Sequence, residues 1–145
     1  MTAGQLCSRV LATASPDESV RKAAQRMASY DVGALVVLKE NRGAHAVGII
    51  TDRDIVLRCV AEQLDIDDTS VSDIMSKPVY TVPDGTSAEE ALDKMASAGT
   101  RRLVVTAEGN RVAGILTLDD VMEDLVRETA AIGKLLKVQQ PQVPA

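Results

Sequence analysis

Apolar residues recur at helical spacing in two separate stretches of the chain. The first stripe consists of Val20, Ala23, Ala24, Met27 and Ala28. The second consists of Ala88, Ala91, Leu92 and Met95. Ser19 can cap the first stretch, and Ser87 stands three residues before Glu90, which is the spacing of a capping box. Each stretch therefore predicts an amphipathic helix.

Two short aliphatic runs follow each predicted helix. They cover 34–38 and 46–50 after the first helix, and 103–106 and 112–116 after the second. Turn-forming residues at 40–43 and 108–110 separate the two members of each pair. Each pair therefore predicts two buried strands joined as a hairpin.

A further helix is predicted after each hairpin. In the first, the inward-facing residues are Ile55, Val56, Cys59 and Val60. In the second, the longer stripe consists of Val121, Met122, Leu125, Val126, Ile132, Leu135 and Leu136. This helix is predicted to reach about Val138, although Gly133 lowers its helical propensity. Pro141 and Pro144 cannot continue it, so 139–145 is predicted to be a flexible tail.

The two stretches are copies of one repeat. Met-Ala-Ser at 27–29 and Leu-Val-Val at 35–37 recur at 95–97 and 103–105, a shift of 68 positions (95 − 27). Downstream, Gly48 corresponds to Gly114, a shift of 66 positions (114 − 48). The intervening loop is therefore two residues shorter in the second copy, and loops are where length varies most freely.

Composition narrows the classes of partner. Among the 145 residues Phe and Trp are absent and only Tyr30 and Tyr80 are aromatic, so the usual stacking platforms for single-stranded nucleic acid are missing. A net charge of −5 opposes a phosphate backbone. No apolar run approaches the roughly 20 residues of a membrane-spanning helix, and the first ten residues lack the pattern of a secretory signal. We expect a cytoplasmic protein that binds neither nucleic acid nor membrane.

Few side chains suit catalysis or metal binding. His45 is the only histidine and lies in a predicted loop, which leaves too little for a His-based metal cluster or a Ser-His-Asp triad. Cys7 and Cys59 are far apart in sequence and are predicted to be buried thiols. The acidic stretch at 65–68 is predicted to be a solvated linker, with a weak cation contact as the alternative. An enzyme is the weakest interpretation, and we expect no catalytic residue and no metal site.

One motif occurs in both copies at the junction between the second strand and the following helix. It reads Gly, two aliphatic residues, Thr, two variable residues and Asp, at 48–54 and again at 114–120. Together with the linker-like segment at 71–83, and its more degenerate counterpart at 4–16, this pattern resembles the pair of cystathionine-β-synthase-type (CBS) domains. The resemblance covers about 4–127.

The resemblance implies an α/β fold made of two tandem CBS-type βαββα repeats with pseudo-two-fold symmetry. We expect the first repeat at 1–66, the second at 67–138 and the tail at 139–145. The two repeats are expected to pack through their sheets, with clefts for an adenine nucleotide or a related adenosyl ligand between them. We expect no further cofactor.

The motif itself suits a nucleotide. A helix N-terminus offers unpaired N–H groups and the positive end of the helix dipole to a phosphate. Thr51 and Thr117 stand at two such ends, and Asp54 and Asp120 can accept hydrogen bonds from both ribose hydroxyls. The resemblance gives these positions the same roles.

The resemblance also implies an apolar slot for the adenine, formed by the linker segments and the start of each hairpin. The matching positions are Ala12 to Ala14 with Thr13, Val79 to Thr81 with Tyr80, Gly33 and Ala34, and Arg101 and Arg102. The two clefts differ in charge. Arg53 in the first motif can help to hold a phosphate, whereas Asp119 in the second repels it. Arg101 and Arg102 can supply the missing positive charge, so both clefts remain candidates.

Two other interpretations stay open. Thr-x-x-Asp ahead of an apolar run is also a capping box, so the chain could be a ligand-free adaptor that docks on a partner enzyme. The surplus apolar stripe of the last helix predicts a homodimer, because closed two-fold assembly is the commonest oligomer type. If a nucleotide does bind, we expect it to act by changing the angle between repeats or subunits.

Overall fold

A computed structural model describes residues 1–9, 12–40 and 44–139. The turn predicted at 40–43 lies mostly outside these ranges, and so does the predicted tail from residue 140 onward. The described part contains two three-stranded sheets with helices packed on them, which confirms the predicted α/β fold of two repeats.

The first repeat contains β1 (Thr13–Ala14), α2 (Val20–Tyr30), β2 (Ala34–Glu40), β3 (Ala44–Thr51) and α3 (Asp52–Ile55). Helix α3 continues as a π-helical turn over Val56–Val60. In the sheet, β1 pairs parallel with β2, and β2 pairs antiparallel with β3. The predicted hairpin is therefore present.

The second repeat has the same order of elements. These are β4 (Thr81–Pro83), α5 (Ala88–Ala98), β5 (Arg102–Thr106), β6 (Val112–Thr117) and α6 (Leu118–Gln139). Strand β4 pairs parallel with β5, and β5 pairs antiparallel with β6. Helix α6 ends one residue beyond the expected Val138, so Gln139 belongs to the helix and not to the tail.

Local signals explain where the helices begin and end. The Ser19 hydroxyl accepts a hydrogen bond from Lys22 N, and the Ser87 hydroxyl accepts one from Glu90 N, so both serines are N-caps as predicted. Asp31 and Gly99 follow the two helices in the left-handed conformation, with φ of 53° and 67°. Such a residue ends a helix by turning the chain away from its axis.

Both faces of each sheet are buried. Leu35 and Val37 pack into the first hydrophobic core, and Leu103 and Val105 pack into the second. The residues between them must point to the opposite face, because side chains alternate along a strand. These residues, Val36 and Val104, are also fully buried. Contacts between β3 and β6 bring the two sheets together, as the predicted packing through the sheets requires.

Two short linker helices were not predicted, because four residues are too few to show a periodic pattern. They are α1 (Ala3–Leu6) and α4 (Val71–Ile74). Each packs in the core of the repeat to which it does not belong in sequence: Ala3 lies in the second core, whereas Val71 and Ile74 lie in the first. The two repeats thus exchange their linker helices.

Two glycines make this exchange possible. At Gly48 on β3, a Cβ atom would lie 2.4 Å from the Met75 sulfur. At Gly114 on β6, it would lie 2.4 Å from the backbone oxygen of Ser8. In each repeat the residue after α1 or α4 therefore passes directly over a strand that has no side chain at that point.

The outer faces of α3 and α6 carry large exposed apolar side chains. The prediction that Val56 and Val60 face inward is wrong, because both are more than half exposed. Leu57 next to them is about half exposed, and so are six residues of α6: Met122, Leu125, Val126, Ile132, Leu135 and Leu136. Among the described residues, no helix is both long enough and apolar enough to cross a membrane.

Candidate functional site

The start of the first hairpin strand and the strand-to-helix junction are neighbours in both repeats. In the first, Ala34 is the register partner of Thr51, and Asp52 N donates to Gly33 O at 3.0 Å. In the second, Arg102 is the register partner of Thr117. The antiparallel hairpin therefore brings these predicted residues together at one end of each sheet.

The linker-strand residues lie beside the same end of each sheet. Thr13 on β1 is paired with Val36, and Thr81 on β4 with Val104, in each case two residues beyond the start of the hairpin. Tyr80 is half-buried against the second core, and its carbonyl oxygen accepts from Val104 N at 2.9 Å.

Thr51 and Asp54 form a reciprocal capping box. Asp54 N donates to Thr51 Oγ1 at 3.1 Å, and Thr51 N donates to Asp54 Oδ2 at 3.0 Å. Thr117 and Asp120 repeat these contacts at 3.1 and 2.9 Å. The capping role expected from sequence is therefore present at both junctions. Because a capping Asp keeps its second oxygen, this geometry is compatible with a ligand as well.

The surroundings of the two Asp residues differ. Ser76 Oγ donates to Asp54, at 3.0 Å from Oδ1 and 3.1 Å from Oδ2. Arg58 Nε lies 3.8 Å from Asp54 Oδ1, and Asp54 is only 7% exposed. Asp120 is half-buried, and Thr117 N donates to its Oδ2 at 2.9 Å.

Sequence reasoning missed Ser76 and Arg58. The repeat offered a signal for Ser76, which matches Ser8 at the 68-residue shift (76 − 8). Both serines exchange two backbone hydrogen bonds with β-strand residues of the opposite repeat, Ser76 with Ile49 and Ser8 with Ile115. No sequence pattern indicated that the Ser76 hydroxyl would reach Asp54.

The charges at the two junctions also differ. The Asp52 carboxylate lies against Gly33, with Oδ2 3.2 Å from the position of a Cβ atom. Leu118 stands at the equivalent place in the second repeat, partly buried against its core. Arg53 and Asp119 are both exposed. Arg101 is exposed and Arg102 half-buried, and neither has an ion-pair partner among the described residues.

An open groove of about 1120 Å³ runs beside β1, away from the junctions. Thr13 lines it, together with Arg26 and Tyr30, whereas Thr51 and Asp54 do not. Arg26 is already engaged there, since it donates to Thr13 O and to both carboxylate oxygens of Glu18. Burial opposes ionisation of Glu18, but the hydrogen bonds from Arg26 and Ser15 N and the charges of Arg26 and Lys22 together outweigh it, so the pKa of Glu18 is lowered. The Arg26 guanidinium is thus already paired, so we base the candidate site on the junctions.

The remaining side chains considered for catalysis or metal binding are the two cysteines, His45 and the acidic residues of the linker. Cys7 and Cys59 are buried free thiols, and burial raises the pKa of Cys7. His45 lies exposed on β3, not in a loop as expected. Asp67, in the acidic linker, forms an ion pair with Arg21. No group of three or more His, Cys, Asp or Glu side chains within the described ranges is arranged to hold a metal ion.

Comparison with known proteins gives consistent matches. The family model of the CBS domain matches twice, at residues 3–60 and 71–127. The CBS domain-containing protein YhcV of Bacillus subtilis is 32% identical over 133 residues, which is 92% of this chain and 91% of YhcV. The chain spans only 62% of the length of another curated relative.

Two solved structures have the same fold. Hypoxic Response Protein I, solved with two coordinated zinc ions, is 29% identical with a TM-score of 0.72, covering 85% of this chain and 98% of that one. Hypoxic response protein 1 of Mycobacterium tuberculosis is 33% identical to this chain over 108 residues, which is 74% of this chain and 73% of that protein. The CBS domain of a bacterial CNNM/CorC family Mg²⁺ transporter, solved with ATP, has a TM-score of 0.76 at 20% identity and covers 87% of each chain.

Proposed function

This chain belongs to the CBS domain family, and on that premise we propose that it is a regulatory module that binds an adenine nucleotide or a related adenosyl ligand. The observation that carries the proposal is the Thr-x-x-Asp junction, formed twice beside the start of a hairpin strand. CBS domains generally serve as regulatory modules, and no enzymatic role is proposed.

Each part of a nucleotide finds a chemical counterpart near these junctions. The Thr hydroxyl can donate to phosphate or ribose oxygens. An Asp carboxylate can accept from two adjacent ribose hydroxyls. Arg53 in the first repeat, and Arg101 and Arg102 in the second, offer guanidinium groups to a phosphate.

The adenine ring is assigned to the linker strands. Thr13 and Ala34 would border it in the first repeat, and Tyr80 and Thr81 in the second. Backbone groups at the sheet edge can form hydrogen bonds with the edge of the ring. The fold accommodates such a ligand in the transporter CBS domain that was solved with ATP. The zinc ions of Hypoxic Response Protein I suggest no equivalent here, because the described residues offer no cluster of metal ligands.

The first experiment is thermal unfolding with AMP, ADP, ATP, S-adenosylmethionine and NADH in parallel. A ligand at about a hundred times its dissociation constant stabilises the folded state by roughly 2.7 kcal/mol, which raises the midpoint by several degrees. GTP at the same concentration is the matched control for non-specific anion effects. If none of the adenosyl compounds raises the midpoint more than GTP does, the proposed ligand class is wrong.

Signalling is proposed to occur through a change in the angle between the repeats. A ligand shifts such an equilibrium only by its differential affinity for the two states. The contact between β3 and β6 is the surface about which the repeats can move. Small-angle scattering and hydrogen exchange should therefore change on saturation with the stabilising nucleotide. Unchanged profiles in both measurements would exclude the switch but not the binding.

A homodimer is proposed through the outer faces of α3 and α6. Val56 and Val60 on α3 stand at the positions of Met122 and Val126 on α6, a shift of 66, and all are more than half exposed. Arg53 on α3 and Asp119 on α6 are exposed and carry opposite charges. Packing α3 of one copy on α6 of a second copy therefore joins apolar stripes and opposite charges.

Light scattering after size-exclusion chromatography tests this assembly. The native chain should have twice the monomer mass, and V60E or V126E should yield monomers, since a buried unpaired charge at an interface is costly. K94E on the exposed face of α5 is the matched control. Dimers that persist in both valine variants would refute this interface.

The ligand-free adaptor remains a second candidate, favoured by one observation. Both Asp residues are engaged as helix caps without any ligand. In that case the exposed Ile132, Leu135 and Leu136 near the end of α6 would contact a partner enzyme. A stoichiometric partner retained in the absence of nucleotide, and lost in L136E, would favour the adaptor.

A further inference from the structure

Helix α6 extends well beyond its counterpart in the first repeat. It has 22 residues, whereas α3 with its π-helical turn has nine, four plus five, at 52–60. The match to the CBS domain family ends at residue 127. The second half of α6, at 129–139, therefore lies outside the family pattern and is a feature of this chain.

This second half stands away from the body of the protein. Every residue at 125–137 is exposed except the half-buried Gly133. An isolated helix shorter than about 12–15 residues is only marginally stable in water, and most helices in proteins are stabilised by packing an apolar face. The second half of α6 is therefore expected to pack on a partner.

The apolar face of α6 has the spacing of a coiled coil. Its members are separated by steps of three, four, three and four residues, and they are Met122, Leu125, Thr129, Ile132 and Leu136. We call these five residues the α6 seam. Its four apolar members are 48–59% exposed, and Thr129 is exposed as well. This spacing keeps one line of side chains directed at a second helix along its whole length.

We propose that the α6 seam packs on the α6 seam of a second copy of this chain, with the two helices antiparallel. The proposal rests on the proposed homodimer and adds a second contact to it. Val126, assigned above to α3 of the other copy, lies about 100° around the helix from Leu125, so α6 can contact both helices. The seam covers about two heptads, fewer than coiled coils usually have, and so it depends on the α3 contact.

The charges of α6 favour a second copy in the antiparallel direction. The half at 118–128 has a net charge of −4, one minus five, from Arg127 against Asp119, Asp120, Glu123, Asp124 and Glu128. The half at 129–139 has a net charge of +2, from Lys134 and Lys137. An antiparallel pair places the basic half of each helix beside the acidic half of the other, whereas a parallel pair places acidic beside acidic. Packed helix axes are about 8–10 Å apart, close to the Debye length at physiological salt, so this difference acts across the pair.

Antiparallel packing also gives well-matched layers. In the register that places Leu125 opposite Leu136 of the second copy, Thr129 lies opposite Ile132. The two threonines are then in different layers, and each is packed against an apolar side chain. Opposed helix dipoles favour the same direction.

The first part of the test is the dimer dissociation constant, measured by sedimentation over a range of concentrations. L136E should raise it about tenfold or more, since the variant places a charge in the seam of both copies. A130E is the matched control, because Ala130 is exposed and lies outside the seam, and its dissociation constant should stay within about threefold of the native value.

The second part tests direction by disulfide formation under mild oxidation. A mixture of L125C and L136C chains should form a mixed cross-linked dimer, whereas L136C alone should not cross-link. The native chain is the control, since Cys7 and Cys59 are buried.

Two results would overturn the proposal while leaving the homodimer itself intact. One is an L136E variant that dimerises as tightly as A130E while V60E is monomeric. The other is an L136C variant that cross-links with itself and not with L125C. A native chain that is monomeric at every concentration would refute both the seam and the homodimer. Nucleotide binding is tested separately by thermal unfolding, so none of these results decides it.

Discussion

Gly114 offers a direct test of how the linker segments cross the sheets. In G114A the new Cβ would lie 2.4 Å from Ser8 O and 2.8 Å from Cys7 Sγ, whereas ordinary contacts begin at 3.4 Å. The backbone at Ser8 would have to move by about 1.0 Å (3.4 − 2.4). Such a movement strains the two hydrogen bonds between Ser8 and Ile115, at 2.9 and 3.1 Å.

The magnitude follows from these contacts. Overpacking a core costs about 1–3 kcal/mol, and each backbone hydrogen bond contributes about 0.5–1.5 kcal/mol. With two such hydrogen bonds, we expect G114A to lose about 2–6 kcal/mol of unfolding free energy. The equivalent G48A should lose less, about 1–2 kcal/mol, because its nearest neighbours are atoms of the flexible Met75 side chain.

Urea unfolding followed by circular dichroism measures both losses. G85A is the matched control, since no atom lies within 4 Å of the added Cβ and the residue has no positive φ. At roughly 2–4 °C per kcal/mol, G114A should also melt on the order of 10 °C lower. A G114A variant as stable as G85A, or more stable than G48A, would refute the crossing of the Ser8 backbone over β6.

Three further predictions follow from the structure. Because Glu18 has a lowered pKa in the fold, its stabilising effect is complete above the unfolded pKa near 4.5 and is lost as the pH falls through the folded value. E18Q should therefore lower the free energy of unfolding in urea by about 1–2 kcal/mol at pH 7 and by much less at pH 3. An equal loss at both pH values would contradict this. G133A, with no atom within 4 Å, should stabilise α6 by about 0.5–1 kcal/mol, and no rise in the urea midpoint would count against a helical Gly133. Cys7 and Cys59 are both buried, so a thiol reagent should modify them much more slowly in the native chain than in urea, and equal rates would contradict their burial.

The local parts of the fold could be predicted from sequence, because each leaves a periodic signal. Helix α2 shows its apolar stripe and its Ser19 cap, and the hairpin strands appear as aliphatic runs. The linker helices α1 and α4 could not be found in this way. Their role depends on contacts with residues far away in sequence, and four residues carry no stripe.

In the candidate site, too, local features could be predicted from sequence, whereas contacts between distant residues could not. Thr51 and Asp54 could be paired from their spacing, since a capping box is a local structure. The surroundings of Asp54 could not be predicted, because they depend on Ser76, which is 22 residues away in sequence. The charges of Arg53 and Asp119 indicated an asymmetry between the junctions, and the structure adds a difference in burial, since Asp54 is 7% exposed and Asp120 is half-buried.

The exchange of α1 and α4 bears on how a duplicated chain of this kind could have arisen. A single ancestral unit of one repeat would leave part of its own core uncovered. It could complete that core only by exchanging linker helices with a second molecule. Such a pair is a swapped dimer whose folding depends on protein concentration. Joining the two units in one chain makes that encounter intramolecular, at an effective concentration set by the connecting segment. Once joined, the copies are free to diverge, provided that each keeps the surface on which the other depends.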